Sequence, residues 1–286
     1  MALRWIFDTE ADLIFVAGTT AERMGPPAEH GSPYSIIAAP ENPNQAGIVI
    51  LGTSPWTVES FTTDHFGEVV YRITVGSNDE AVDVVTAWGD LGSNSLDADK
   101  LAARLATVAE AVASASRPVA VIGNLGATRW TNDMRIMRAT LGLRDATEGF
   151  GYLATSPVSG VPVIGGWIGI PIDIVLMTEE IMPLELTTGP DIGADHLPVT
   201  VVIAPNSRTD LRTDAQAKVL PGVERSTNSL NIVLAVMELR NLIRHDPSFR
   251  PHLTIEQCCN HRSARIDPPI GDDHCNDNRS PFGVVN

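Results

Sequence analysis

The chain has 286 residues, 43% apolar and 19% charged, with 35 acidic against 20 basic side chains for a net charge of −15. That length and apolar content exclude a disordered chain and suit one large packed domain. The acidic balance repels polyanions, which argues against nucleic acid as a partner while leaving room for a local basic groove. No apolar run approaches the ~18 residues of a membrane-spanning helix, and no secretory leader is recognisable, so a soluble chain, cytoplasmic by default, is expected. Cys258, Cys259 and Cys275 are odd in number with two adjacent, which excludes a simple disulfide framework.

In chain order, residues 3–10 suit a short helix, and the apolar run 11–17 a buried strand closed by Gly18. Residues 45–52, 69–75 and 81–88 are β-rich runs separated by Gly, Pro, Asn and Ser, as in a meander. Between 96 and 114 the period changes to 3.6, with Leu101, Leu105, Val108 and Val112 on one helical face. Residues 118–123 read as a buried strand, 132–141 as a second amphipathic helix, and 172–177, 185–188 and 197–204 as further strands. Alternating strands and helices followed by more strands indicate an α/β class. Beyond 204 the composition shifts. A helix over 226–245 is expected from the alignment of Ile232, Val236, Leu239 and Ile243, and from 247 onward a Pro-, Asn- and Asp-rich tail without periodicity.

Four segments, in order and with matching spacing, carry a resemblance. They are the strand ending Val121-Ile122-Gly123-Asn124-Leu125-Gly126-Ala127-Thr128, then Gly142-Leu143-Arg144-Asp145, then Ile172-Asp173-Ile174-Val175, and finally Gly189-Pro190 followed by Ala194-Asp195-His196-Leu197-Pro198. Together they resemble the endonuclease/exonuclease/phosphatase superfamily, whose corresponding motifs read Gly-Asp-Phe-Asn, Ile-Asp and Ser-Asp-His-x-Pro. Upstream, residues 12–20 match the strand that ends in Gln-Glu or Pro-Glu, and 84–88 the strand that ends in His. The resemblance implies a four-layer α/β sandwich of the DNase I-like kind over residues 1–205. The composition and periodicity beyond it make 206–246 an extension with one helix and 247–286 a disordered tail.

The resemblance also implies metal-dependent hydrolysis of a phosphoester by an in-line water, with Mg²⁺ or Mn²⁺ held mainly by the family's Glu. The chemistry requires hard oxygen ligands for the ion and a carboxylate to take the water's proton. Here the Glu position is Gly18, which has no side chain, and the Asp position is Asn124, whose amide accepts a hydrogen bond but takes no proton at neutral pH. The motif's Asn is Gly126 and the upstream His is Trp88. Asp195 and His196 survive, with Asp195 expected to orient the imidazole, and Asp173 matches the carboxylate that supports the phosphate-binding side. The bland alternatives are that Asp195 and His196 cap a turn and that Asp173 is a structural hydrogen-bond partner.

These losses point to a degraded active site on a retained fold, with no cofactor and a binding or scaffold role. An active hydrolase of a small phosphoester or phospholipid head group is the competing reading. It needs Mg²⁺ or Mn²⁺ on a displaced acid, with Glu10, Glu22, Asp90 and Asp133 nearest in sequence. The family's first strand, which ends in a metal-binding Asn, has no counterpart before Met1. The sequence therefore suggests a sheet lacking that strand and an upstream segment that, in some relatives, anchors the chain to a membrane. Trp5, Trp56, Trp88, Trp130 and Trp167 are expected to pack in the core or under loops, with Trp88 at the mouth of the old site. Residues 160–169 lack a lysine and read as a flap. His252, Cys258, Cys259, His261, His274 and Cys275 follow no common zinc spacing.

Overall fold

A computed structural model describes residues 2–43, 45–63, 66, 68–77, 80–89, 98–157, 169–206 and 229–236. Chain order begins with α1 (Ala2–Asp8), β1 (Leu13–Thr19), α2 (Ala21–Met24) and a 3₁₀ turn at Pro27–His30. The strands β2 (Ser35–Ala38), β3 (Gly47–Gly52), β4 (Thr57–Thr62), β5 (Val69–Val75) and β6 (Val82–Thr86) follow. Next come α3 (Ala98–Ala113), β7 (Val119–Asn124), α4 (Asn132–Leu141), β8 (Arg144–Asp145), β9 (Ser156–Pro157) and β10 (Gly169–Ile170). The described elements end with β11 (Asp173–Met177), β12 (Ile181–Thr188), β13 (Val199–Pro205) and β14 (Leu230–Val236).

Two mixed six-stranded sheets carry the fold, in the orders β12-β13-β14-β1-β3-β2 and β4-β5-β6-β7-β11-β8, and β9 and β10 form a small separate ladder. The alternation of side chains along each strand builds the layers. Leu13, Phe15 and Ala17 of β1 meet Ile73, Val84, Ile122 and Val175 in the core between the sheets. The intervening Ile14 and Val16 pack outward against Ile6, Phe7 and Met24 of the first two helices. On the other side Val119 and Val121 of β7 pack against Leu105, Val108 and Val112 of α3 and Met134 and Met137 of α4. Helix, sheet, sheet and helix make the four-layer α/β sandwich expected from the sequence.

β14 is the principal difference. Residues 230–236, expected inside a helix, form a strand between β13 and β1, antiparallel to β13 and parallel to β1, with Phe15 opposite Leu234. Ile232 and Leu234 enter the core between the sheets while Val233 and Ala235 face the α1 side, so every side chain from 232 to 235 is buried. An apolar run buried on both faces has no polar stripe, and the helical spacing of Ile232 and Val236 is incidental to it. The consequence is twofold. β1 has a strand on each side, so no vacancy stands where the sequence suggested a missing strand, and the domain does not end at residue 205. The remainder of the expected helix and the tail from 247 lie outside the described residues. The strands β2 and β4 were also not read from the sequence; both are edge strands, and β4 has no fully buried residue.

Candidate active site

The site is assembled where β7 and β11 lie side by side. Asp173 opens β11 directly opposite Asn124 at the end of β7. Trp88, just beyond β6, forms a parallel bridge with Asn124, and the Asn124 carbonyl accepts from Gly89 N at 2.8 Å. This close approach depends on Gly123, because a Cβ there would stand 2.3 Å from the Ala87 carbonyl oxygen. A loop then delivers His196, and Thr155 fastens it. The Thr155 carbonyl accepts from Leu197 N at 2.8 Å, while its hydroxyl accepts from Asp173 N at 3.4 Å. Thr155 is fully buried and sits in no recognisable motif, so nothing in the sequence marked it.

His196 Nδ1 lies 3.0 Å from Asp173 Oδ2 and 3.2 Å from Oδ1, with the two side chains 4% and 1% exposed. A neutral imidazole held this way carries its proton on Nδ1, donates it to the carboxylate, and makes Nε2 the acceptor. The sequence expectation that Asp195 orients His196 is corrected: Asp173 does so. Asp195 Oδ2 is buried and has no hydrogen-bond partner. Asp173 takes the part expected of Asp195 because its position at the start of β11 puts its carboxylate against the imidazole.

Asn124 is fully buried. Its Oδ1 accepts from Gly126 N at 2.9 Å in a tight turn that Gly126 completes at φ 75. Its Nδ2 is buried without a partner, and so is the indole nitrogen of Trp88. Trp88 packs against the core between the sheets, as expected of the tryptophans. Two neighbouring donors are thus held away from water and unsatisfied, a costly arrangement for a protein to maintain.

The metal does not fit the residues present. Gly18 is the extra residue of a bulge in β1, at φ 74 between Ala17 and Thr19, and it offers no ligand atom. Asn124 Oδ1 is engaged by Gly126, and Asp173 by His196. Of the acids nearest in sequence, Glu10, Glu22 and Asp133 are exposed, Glu22 on α2 and Asp133 in the first turn of α4; Asp90 lies outside the described residues. Among the described residues no group of three or more His, Cys, Asp or Glu is placed to hold a metal ion. The Cys- and His-containing tail, Trp167 and residues 160–168 lie outside the described residues. No described helix is long and apolar enough to cross a membrane.

No family model matches the sequence, and no curated protein matches it. Solved structures do. The endonuclease/exonuclease/phosphatase from Bacteroides vulgatus superposes with a TM-score of 0.54 at 14% identity, over 71% of this chain and 88% of that one. A family protein of the same description from Bacteroides thetaiotaomicron gives 0.51 at 11% identity, over 70% and 86%. The chain has their fold. TDP2 from D. rerio, complexed with single strand DNA product, is also similar, with a TM-score of 0.48 at 12% identity over 67% and 85%. The DNase I-like sandwich inferred from four short segments is therefore the architecture of this protein, and its chemistry rests on the site alone.

Proposed function

We propose that this chain is an endonuclease/exonuclease/phosphatase-type domain that has lost metal-dependent hydrolysis and acts by binding a small phosphoester or related anion. The observation that carries this reading is Asn124. Standing opposite Asp173, it uses its one oxygen on Gly126 N and keeps a buried N–H donor without a partner, as does the indole of Trp88, the residue whose backbone bridges to Asn124. Two desolvated donors suit the oxygens of an anion, whereas a hydrolase needs a proton acceptor at that place. Neither Gly18 nor Gly126 supplies a replacement.

A second reading is favoured by the Asp173–His196 pair. A buried imidazole oriented by a carboxylate is the equipment of an active phosphoester hydrolase, which would recruit a divalent ion through a displaced acid. The net charge of −15 favours a small substrate in either case but does not exclude nucleic acid.

One experiment separates the two. The full chain is incubated with Mg²⁺ or Mn²⁺ and with generic phosphomonoesters, phosphodiesters and a single-stranded oligonucleotide. The proposal expects binding without turnover. Metal-dependent turnover abolished by His196→Ala would establish the second reading instead.

A further inference from the structure

Trp130 and Tyr152 do not pack in the core. They are 55% and 59% exposed, and Phe150 on the same loop as Tyr152 is 39% exposed. Their rings are nearly parallel, 17° apart in plane with centroids 6.4 Å apart. Both are held in place: the Tyr152 hydroxyl donates to the Gly169 carbonyl at 2.6 Å, and the Arg129 guanidinium lies 4.9 Å over the indole of Trp130. Arg129 in turn donates to the Thr147 hydroxyl and stands 3.5 Å from Asp145 Oδ2.

Beside Trp130 opens a cavity of about 440 Å³ whose wall includes Arg129, Arg138, Asp145, Thr147 and Glu148. Arg138 bridges two acids, with Nη1 3.9 Å from Asp145 Oδ2 and Nη2 3.3 Å from Glu148 Oε1. Its Nε is buried and has no hydrogen-bond partner. The wall therefore combines two guanidinium groups with two carboxylates, so its formal charges cancel while donors and acceptors stand side by side.

We infer that this is a binding site for the heteroaromatic ring of a nucleoside or small nucleotide. Trp130 lines the cavity with Tyr152 stacked beside it, and aromatic side chains more than half exposed in a fixed arrangement can extend that stack onto a planar ring. A wall offering donors and acceptors without net charge matches the mixed edge of a nucleobase better than a bare phosphate, which would meet Asp145 and Glu148, or a lipid chain, which would leave the polar atoms unpaired. The volume is within the range of small-molecule pockets. None of these residues belongs to the group formed by Asn124, Asp173 and His196, so the inference stands whether or not that group hydrolyses anything.

The test is calorimetric titration of the full chain with adenosine, guanosine and AMP, with ribose 5-phosphate as the probe that lacks a ring. Binding of at least one nucleoside, absent for ribose 5-phosphate and weakened roughly tenfold or more by Trp130→Ala and by Tyr152→Ala, is expected. Trp130→Phe, which keeps a stacking face, should retain most of the affinity. Both positions are more than half exposed, so circular dichroism of the variants should match the parent and separate lost binding from lost fold. No nucleoside binding at millimolar concentration, equal binding of ribose 5-phosphate, or binding indifferent to both alanine variants would each overturn the inference.

Discussion

The carboxylate that holds His196 is Asp173, and its Oδ2 lies 3.0 Å from Nδ1, although Asp195 is the neighbour in sequence. The two acids should therefore respond differently to the same change. Asp173→Asn weakens a buried contact and is expected to cost about 1–3 kcal/mol. Asp195→Asn alters an oxygen that has no partner and should leave stability within about 0.5 kcal/mol. Urea denaturation midpoints decide between them; a larger loss for Asp195→Asn would contradict the assignment.

Asn124 offers the second comparison. Replacing it by Asp keeps an oxygen for Gly126 N but turns the buried donor into an acceptor and adds a negative charge. Anion affinity should fall roughly tenfold to a hundredfold, the worth of one hydrogen bond to a charged group. Titration of inorganic phosphate into the parent and Asn124→Asp measures it. Equal affinity would remove Asn124 from the binding account.

β14 makes the chain beyond residue 206 part of the domain. Leu234 is 1% exposed and lies between Phe15 of β1 and Val199 of β13. Leu234→Ala should cost about 2–5 kcal/mol, and a chain ended at residue 206 should lose cooperative unfolding because β1 and β13 each lose the strand that joins them in one sheet. Glu22→Ala, on the exposed face of α2, serves as the neutral control. Cooperative unfolding of the shortened chain at the parent's midpoint would contradict the role of β14.

Tyr34 ties the α1–β1 connection together: its hydroxyl accepts from Ala11 N at 2.9 Å and donates to the Thr9 carbonyl. Burial is the main cause that pushes its pKa above the usual value, partly offset by the Ala11 backbone and reinforced by Asp12 and Glu10. Because the folded value is raised, the unfolded chain loses this proton first. The stability that neutral Tyr34 contributes is complete below about pH 10 and is lost as pH rises from there through the folded value. Tyr71, raised by burial and then by Glu41, acts in the same sense. Tyr34→Phe should lower stability at neutral pH by about 1–3 kcal/mol and flatten the alkaline decline. An unchanged alkaline slope would show that Tyr34 does not drive it.

Much of the architecture was legible because it follows simple periods. The 3.6-residue spacing of Leu105, Val108 and Val112 became α3, and the apolar runs around Phe15 and Ile122 became central strands. β14 was misread because Ile232 and Val236 satisfy a helical spacing as well as a strand, and only the gap beside β1 decides between them. The site was legible as a set of positions but not as a set of contacts. Gly18, Asn124 and Gly126 were read as losses from their residue types, whereas the partner of His196 depends on how the loop that carries it meets the start of β11, which no local motif shows. Thr155 acts through its backbone carbonyl and hydroxyl in an irregular loop, and the exposure of Trp130 depends on Tyr152 and Arg129 meeting across chain connections that carry no motif.

The most direct measurement is metal binding by the full chain, followed by paramagnetic relaxation or spin resonance as Mn²⁺ is added, with turnover of a phosphodiester recorded in the same samples. On the proposed reading, in which Gly18, Asn124 and Gly126 stand in place of ligands and base, no stoichiometric site and no turnover above buffer are expected, for the parent and for His196→Ala alike. A stoichiometric Mn²⁺ site whose occupancy drives hydrolysis, lost in His196→Ala, would contradict it.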